Sequence, residues 1–388
     1  MPKILVCCFY LYASFLASNC HAQIKTGAEQ TQNYLPLLKD KEIALVVNQT
    51  STIGRTHLVD SLLSLGLKIR CIFAPEHGFR GNASAGTTVS SGLDSKTGLR
   101  ITSLYGSHKK PVKADLEGVE TVVFDIQDVG VRYYTYISTM HYVMEACAEF
   151  NIPFVVLDRP NPNGHYIDGP VLDTNFRSFV GMHKIPLVHG CTVGELAQMI
   201  NGEGWLNKGL ICSLKVIPCQ NYSRYMVYEL PIRPSPNLQT QSAIYLYPSL
   251  GLFEGTTVSI GQGTDKPYQC FGSPAFDWGN ISFTPISIKG VAEKPKSLGI
   301  PCTGFDLTWF GYNRARSDAQ INLNWLIMSY RLSKNKTDFF NDFTDKLAGT
   351  SSLRKQIIAG SSVYEIRQSW KKDLDYYRIM RNRYLLYP

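Results

Sequence analysis

The chain lacks the short motifs that would equip it for a nucleotide or a zinc ion. No GxGxxG follows the first apolar strand, where NQTSTIGR stands instead, and no GxxxxGK[ST] occurs, so dinucleotide and nucleoside-triphosphate fingerprints are both missing. GxSxG is missing too, which removes the strained serine turn of an α/β-hydrolase. Neither HExxH nor CxxC appears; the nearest approach, EHG at 76 to 78, sets its residues side by side and cannot reproduce helical ligand spacing. No cofactor and no metal are therefore expected. There is no run of five or six like charges, no internal repeat and no low-complexity tract, and beyond the N-terminus nothing reaches transmembrane length.

Charge is sparse: 18% of the 388 residues are charged and 44% are hydrophobic, which excludes disorder and gives more chain than one compact core usually holds. A net charge of +8 hints at an anionic partner but is diluted over a large surface. The basic stretch RQSWKKDLDYYRIMRNRYLLYP carries aromatics at helical spacing, the pattern of a docked terminal helix and not of a nucleic-acid site. At the other end, MPKILVCCFYLYASFLASNCHAQ has one Lys, an apolar run from Ile4 to Ala17 and then small and polar residues, so residues 1–22 are expected to be a signal peptide cut after Ala22. Lipidation at Cys20 is the alternative, with Asn19 standing where a small residue is wanted. Past that segment Cys71, Cys147, Cys191, Cys212, Cys219, Cys270 and Cys302 remain, an odd number placed largely in apolar segments, which suits buried thiols better than a disulfide framework.

From residue 42 onward strand and helix signals alternate: EIALVVNQT, then helix RTHLVDSLLSLG, strand LKIRCIFAPEHG, strand TVVFDIQD, helix YTYISTMHYVMEACAEF and strand PFVVLDRP. This predicts an α/β fold, a Rossmann-like, mainly parallel sheet flanked by helices over residues 23–240. Thr192 and Glu195 form a capping box for TVGELAQMING. The Gly-, Ser- and Thr-rich stretch 79 to 100 is a long loop of the kind that is usually functional. Beyond Tyr245 glycine and proline increase, FTPISIKG resembles a strand and 317 to 386 reads as several helices, so residues 241–388 are expected to form a smaller α+β domain.

Ligands of such sheets bind at the carboxyl ends of the strands, and here each apolar strand ends in chargeable residues. Glu76 and His77 follow Pro75 and precede Gly78, a tight turn that would present both side chains at a strand tip. Asp125 and Asp128, three apart, point to opposite faces unless the backbone turns at Gln127; Asp125 reads as the more buried and Asp128 as an orienting group. Arg132, with Tyr133, Tyr134 and Tyr136, opens a helix whose amides would join the guanidinium in attracting a carboxylate, unless the tyrosines are core. Asp158, Arg159 and Asn161 lie in a proline-stiffened loop, and His189 in PLVHG is either a satisfied buried histidine or a site residue.

NQTS, APEHGFRG, DIQDVGVRYYTY, LDRPNPNG with DGPVLD, PLVHGCTVGELA, PSPN and GTDKP, in this order across about 42 to 275, resemble the NamZ family of exo-acting β-N-acetylmuramidases, long catalogued as a domain of unknown function. The resemblance implies a Rossmann-like domain with a cleft at its junction with a C-terminal domain, and release of N-acetylmuramic acid from the non-reducing end of peptidoglycan fragments. It also draws Asn237 of PSPN into the substrate-binding set with Arg132, Tyr134, Arg159, Asn161 and His189. One departure is Gln262, where the pattern leads one to expect arginine, which puts an anion contact from that loop in doubt.

The residues agree with that chemistry. The lactyl carboxylate of muramic acid calls for Arg132 or Arg159, and aromatics stack on a sugar face. Glu76 is the candidate proton donor, while Asp125 or Asp128 orients the substrate's acetamido group, activates water or attacks, with His77 tuning the acid or binding a hydroxyl. Export followed by a peptidoglycan substrate points to the periplasm. The rival reading is a non-catalytic envelope protein that binds muropeptides without depending on Glu76; an amidase or esterase lacks a discernible nucleophile.

Overall fold

The computed structural model describes residues 23–79 and 91–388. The expected signal peptide and residues 80–90 of the long loop lie outside the described residues.

A seven-stranded sheet is built from β1 (Glu42–Val47), β2 (Lys68–Ala74), β3 (Gly92–Leu93), β4 (Arg100–Ser103), β5 (Thr121–Asp125), β6 (Phe154–Leu157) and β7 (Leu214–Ile217). Its order is β3-β4-β2-β1-β5-β6-β7, all parallel except the short β3 at the edge. The chain therefore starts in the middle, winds one way through β4 and returns to the other side with β5, the doubly wound arrangement of a Rossmann-like sheet. Side chains of β1 alternate between the two layers. Ile43, Leu45 and Val47 pack under α1 (Thr31–Leu38) and α2 (Leu58–Ser64), while Ala44 and Val46 face α3 (Tyr136–Glu149) and α4 (Val193–Gly202). Strands covered on both faces must be apolar throughout, which is why EIALVV and TVVF read as continuous runs.

α4 starts as expected, with Thr192 accepting from the Glu195 amide and Glu195 accepting from the Thr192 amide. Two predicted elements need correction. RTHLVDSLLSLG is helical only from Leu58, because Thr52–Ile53 and Thr56–His57 first form a hairpin and the His57 ring accepts from the Val59 amide at the helix start. FTPISIKG is not a strand: pairing stops at Phe283, and Pro285, which has no N–H to offer a ladder, follows two residues on.

The second domain runs through α5 (Gln241–Leu250), the 3₁₀ turn Gly251–Gly255, and an antiparallel sheet of β8 (Cys270–Ser273), β9 (Ile281–Phe283) and β10 (Cys302–Asp306) in the order β8-β10-β9. A short helical stretch at 308–318 follows, and then the longer helices α6 (Leu323–Leu332), α7 (Phe343–Ala348), α8 (Ser352–Ile358) and α9 (Val363–Arg381). α9 buries Ile366, Trp370, Leu374 and Tyr377 along one stripe. The apolar core is continuous from the α3 face of the large sheet into this domain, so the two halves share one interior. All seven cysteines of the described residues are buried and free, and no helix among those residues is long and apolar enough to cross a membrane.

Candidate active site

The topological switch point, between β1 and β5, is the default ligand crevice of such a sheet, but here it is filled by the protein. Val47 and Asp125 end level in the sheet. The Ser51 hydroxyl donates to the Asp125 carbonyl, and Arg159 reaches across to Asp125 with Nε at 2.6 Å from Oδ1 and Nη2 at 2.8 Å from Oδ2. Both side chains are buried; desolvation, the largest effect, pulls the guanidinium pKa down, but the charge and hydrogen bonds of Asp125, with smaller help from Tyr228 and Cys219, together hold it above its ordinary value. A dinucleotide phosphate would have to displace this bidentate pair.

The open chemistry lies one strand over, at the end of β2. Pro75 accepts from the Gly78 amide at 3.0 Å, and the turn needs two consecutive residues in the left-handed region, His77 at φ 69° and Gly78 at φ 77°. A histidine there is strained, the kind of conformation that a surrounding structure must impose. His77 is buried and Glu76 half-buried. The Thr135 hydroxyl donates to Glu76 Oε2 at 3.0 Å, and the Tyr105 hydroxyl, whose pKa is driven up first by burial and then by the Glu76 charge, is a second partner.

Tyrosines wall the space beyond. Tyr134 stands edge-on to Tyr136 and Tyr247, with centroids 4.8 and 5.8 Å apart, and Tyr247 meets Tyr133 at 5.2 Å and Tyr268 at 5.1 Å. Tyr134 and Tyr136 both donate to the Pro234 carbonyl, fixing the PSPN turn. The Glu76 charge acts on Tyr136, Tyr247 and Tyr268, which places all three buried side chains within reach of that carboxyl.

The second domain contributes a carboxyl group that the sequence reading did not single out. Glu254, on the turn after α5, accepts from the Tyr268 hydroxyl at 2.5 Å, and Gln262 donates to that hydroxyl at 3.3 Å. Burial, with the Glu76 charge adding to it, holds the Glu254 carboxyl above the usual range against the opposing pull of Tyr268 and Lys296. Lys296 anchors the turn, its Nζ donating to the carbonyls of Phe253, Glu254 and Thr256 at 2.7, 3.0 and 2.5 Å. Gly255 is required where it is: a Cβ there would lie 2.5 Å from the Thr344 Cα of α7. A sequence clue existed, since Glu254 is the sole acidic residue between Glu229 and Asp265, set among apolar and glycine residues where an unpaired carboxyl is costly.

The other predicted site residues lie elsewhere. Arg132 is fully buried and donates to four carbonyls, those of Pro170 and Ile185 at 2.8 Å each, Leu347 at 3.1 Å and Ala348 at 2.7 Å. Desolvation lowers its pKa, and it binds main chain in place of the expected anion. Arg159 is likewise committed, to Asp125 and the Thr52 carbonyl. Asp128 accepts from the Gly130 amide at 2.7 Å and faces His189 Nε2 at 3.6 Å; burial opposes the imidazolium, but Asp128 outweighs it and raises the His189 pKa. Asp125 and Asp128 thus have separate partners and share no cleft. Asn161 bridges its own loop, accepting from the Asn163 amide and donating to the Cys191 carbonyl. Asp158 caps α4 through the Thr192 hydroxyl and the Gly194 amide and accepts from the Tyr387 hydroxyl. Asn237 donates to the Val291 carbonyl at 3.0 Å, tying the PSPN turn to the loop that carries Lys296. Of the predicted set, Glu76 lies beside the tyrosine cluster to which Tyr134 belongs, and His77 follows it in the same turn.

Among the described residues no cluster of His, Cys, Asp or Glu could hold a metal ion. Residues 43–242 match the family model for the N-terminal part of the exo-beta-N-acetylmuramidase NamZ, and residues 245–387 match that for its C-terminal part. A peptidoglycan beta-N-acetylmuramidase from Bacillus subtilis is 38% identical over 387 residues, covering 94% of this chain and 92% of its own. Two crystal structures of DUF1343 family proteins from Bacteroides fragilis share the fold, at TM-score 0.88 with 46% identity and 0.81 with 29%, each covering 94% of this chain and 99% of its own. The chain belongs to the NamZ family of exo-beta-N-acetylmuramidases.

Proposed function

We propose that the protein releases N-acetylmuramic acid from the non-reducing end of peptidoglycan glycan fragments, with Glu254 as proton donor to the leaving oxygen and Glu76 as its charged partner. The observation that carries this reading is the pair itself: two carboxyl groups from separate domains, within range of each other's charge and set beside a cluster of tyrosines. Glycoside cleavage needs one carboxyl that keeps its proton and one that takes one. Environments that set two carboxyls apart assign those roles. Glu254 is held protonated to higher pH by burial and by its neighbour, whereas Glu76 accepts from the Thr135 hydroxyl. This moves the acid from Glu76, where the sequence reading had it, to Glu254. Glu76 then takes the proton of the nucleophile, whether water or the acetamido group of the substrate. Tyr134, Tyr136 and Tyr247 are buried, so they shape the surroundings of the pair by packing. Preference for a muramide over a glucosaminide belongs to the same proposal, and the lactyl carboxylate must be met by donors other than Arg132 and Arg159. So does export to the periplasm with cleavage after Ala22, which rests on the N-terminal sequence and is tested by N-terminal sequencing of protein from a periplasmic fraction.

The test compares a muramide bearing an acidic phenol as leaving group with a natural disaccharide, whose leaving alcohol needs protonation. Glu254→Gln is expected to retain hydrolysis of the aryl muramide and to lose the disaccharide by about 10²- to 10⁴-fold, the usual share of general acid catalysis. Glu76→Gln is expected to lose both. The mirror-image pattern would return the acid role to Glu76. Folded wild-type protein that cleaves neither substrate yet binds muropeptides would replace the enzyme with the binding protein.

A further inference from the structure

A second cavity, of about 1030 Å³, opens on the second domain beside the N-terminus of α5. Its wall carries Trp309 and Tyr312, 69% and 72% exposed, both in the short helical stretch that follows β10. That stretch begins as an α-turn, Thr308–Phe310, and widens to a π-turn, Gly311–Ala315. Such wide turns recur at functional sites. Its inner side is fixed: Phe310 meets Trp325 edge-on at 5.1 Å, and a Cβ on Gly311 would lie 2.1 Å from Ser242 Oγ. With Phe310 and Gly311 held against the body of the domain, Trp309 and Tyr312 face solvent together with Asn313 and Arg314. Two large aromatics exposed in one concavity are unlike the single apolar residues scattered over any surface.

The rest of the lining gives the chemistry of the occupant. Gln241, Gln269, Asn280 and Asn313 supply amides, the Lys266–Asp306 ion pair, 2.5 Å apart, cancels itself, and Glu229 adds one exposed carboxylate. A neutral sugar unit rich in hydroxyl and acetamido groups, with flat C–H faces, such as the N-acetylglucosamine units of a strand, matches aromatic platforms rimmed by amides. The cavity is also joined to the Glu254 carboxyl through a single turn. Lys266 and Gln269 line it, and between them Tyr268, at φ 55°, sends its side chain the other way to Glu254. We infer that this cavity is a second saccharide-binding site, which takes the glycan strand of polymeric peptidoglycan through stacking on Trp309 and Tyr312. The inference rests on the hydrolase reading for its substrate class.

The test uses Trp309→Ala, Tyr312→Ala and the double variant in the full chain. Both side chains are exposed, so unchanged thermal unfolding is the check that the fold is intact. Hydrolysis of a small chromogenic β-N-acetylmuramide serves as the control and is expected to match wild type. On peptide-free peptidoglycan glycan strands kcat/KM is expected to fall about tenfold in the double variant, the equivalent of about 1.4 kcal/mol. In the Glu76→Gln background, binding of the same strands, followed by co-sedimentation, should weaken by the same factor. Equal activity and equal binding on strands would overturn the site. Wild-type protein inactive on the small muramide, but with strand binding that depends on Trp309, would overturn the hydrolase reading and leave the saccharide site standing.

Discussion

Replacing Arg132 by methionine separates two incompatible roles for the most deeply buried cation in the chain. If Arg132 bound the lactyl carboxylate, Arg132→Met would raise KM for muramides and leave stability nearly untouched. The structure gives the opposite expectation, because the guanidinium holds the carbonyls of Pro170 and Ile185 in the first domain and those of Leu347 and Ala348 in the second. Each buried carbonyl left without a donor costs about 1–3 kcal/mol. Four of them would cost about 4–12 kcal/mol, of which several are returned because the buried charge also disappears. Methionine refills much of the side-chain volume but has no donor. The net loss expected is about 3 kcal/mol, a large fraction of the stability of an ordinary domain. Gly349 reports on the same contact, since a Cβ there would lie 2.5 Å from Arg132 Nη2, so Gly349→Ala should lower stability as well. The assay is urea unfolding followed by fluorescence, paired with KM for the chromogenic muramide on the folded fraction. Unchanged unfolding with a tenfold higher KM would refute the reasoning and return Arg132 to the substrate.

Two further predictions concern the carboxyl turn. Because the folded pKa of Glu254 is raised above its ordinary value of 4.5, protonation favours the fold below that value and the advantage is lost as pH rises through the raised pKa. Glu254→Gln should therefore be more stable than wild type at pH 7 and indistinguishable near pH 4, each unit of the raised pKa being worth about 1.36 kcal/mol. A thermal melt at both pH values checks it, and a stability difference independent of pH would count against the burial argument. Lys296→Met removes the donor to three carbonyls around Glu254 and is expected to cost about 1–3 kcal/mol and to lower kcat while KM stays within about twofold, since the group positions the acid without touching substrate. Burial lowers Lys296 from 10.5 to about 8, so between those values the unfolded chain binds a proton that the native one has released. Wild-type stability should rise with pH across that window, and in Lys296→Met the rise should be gone.

The strands of the first domain were legible because burial on both faces forces unbroken apolar runs, and the turn at Glu76 was legible because Pro75 and Gly78 punctuate it. The fate of the arginines was not. A guanidinium in a loop after a strand looks the same in sequence whether it meets a ligand or a neighbouring carbonyl, and the partners of Arg132 at 347 and 348 are more than two hundred residues away. Asp125 and Arg159 were each read correctly as polar groups at strand ends, but their pairing depends on β5 and β6 lying side by side, a tertiary fact. Glu254 was not singled out for a related reason: its neighbours in sequence are apolar, and Tyr268, Lys296 and Glu76 are brought to it by three different segments.

The filled switch point and the displaced site are connected. A doubly wound sheet has its crevice where the strand order reverses, and Arg159, Asp125 and the Ser51 turn close that crevice with main-chain and ion-pair contacts. Closing it costs the fold its usual phosphate site but leaves a rigid floor, on which the neighbouring β2 presents Glu76 to a surface that the second domain can cover. The cover is bound tightly, through Tyr133 donating to the carbonyls of Tyr247 and Pro248, through Arg132, and through a shared apolar core. A glycosidase needs two carboxyl groups fixed to within fractions of an ångström across a sugar ring, and a sheet whose ligand edge accepts one domain as its lid can supply one carboxyl from each side. The filled crevice and the placement of Glu76 and Glu254 on facing domains are thus features of one architecture.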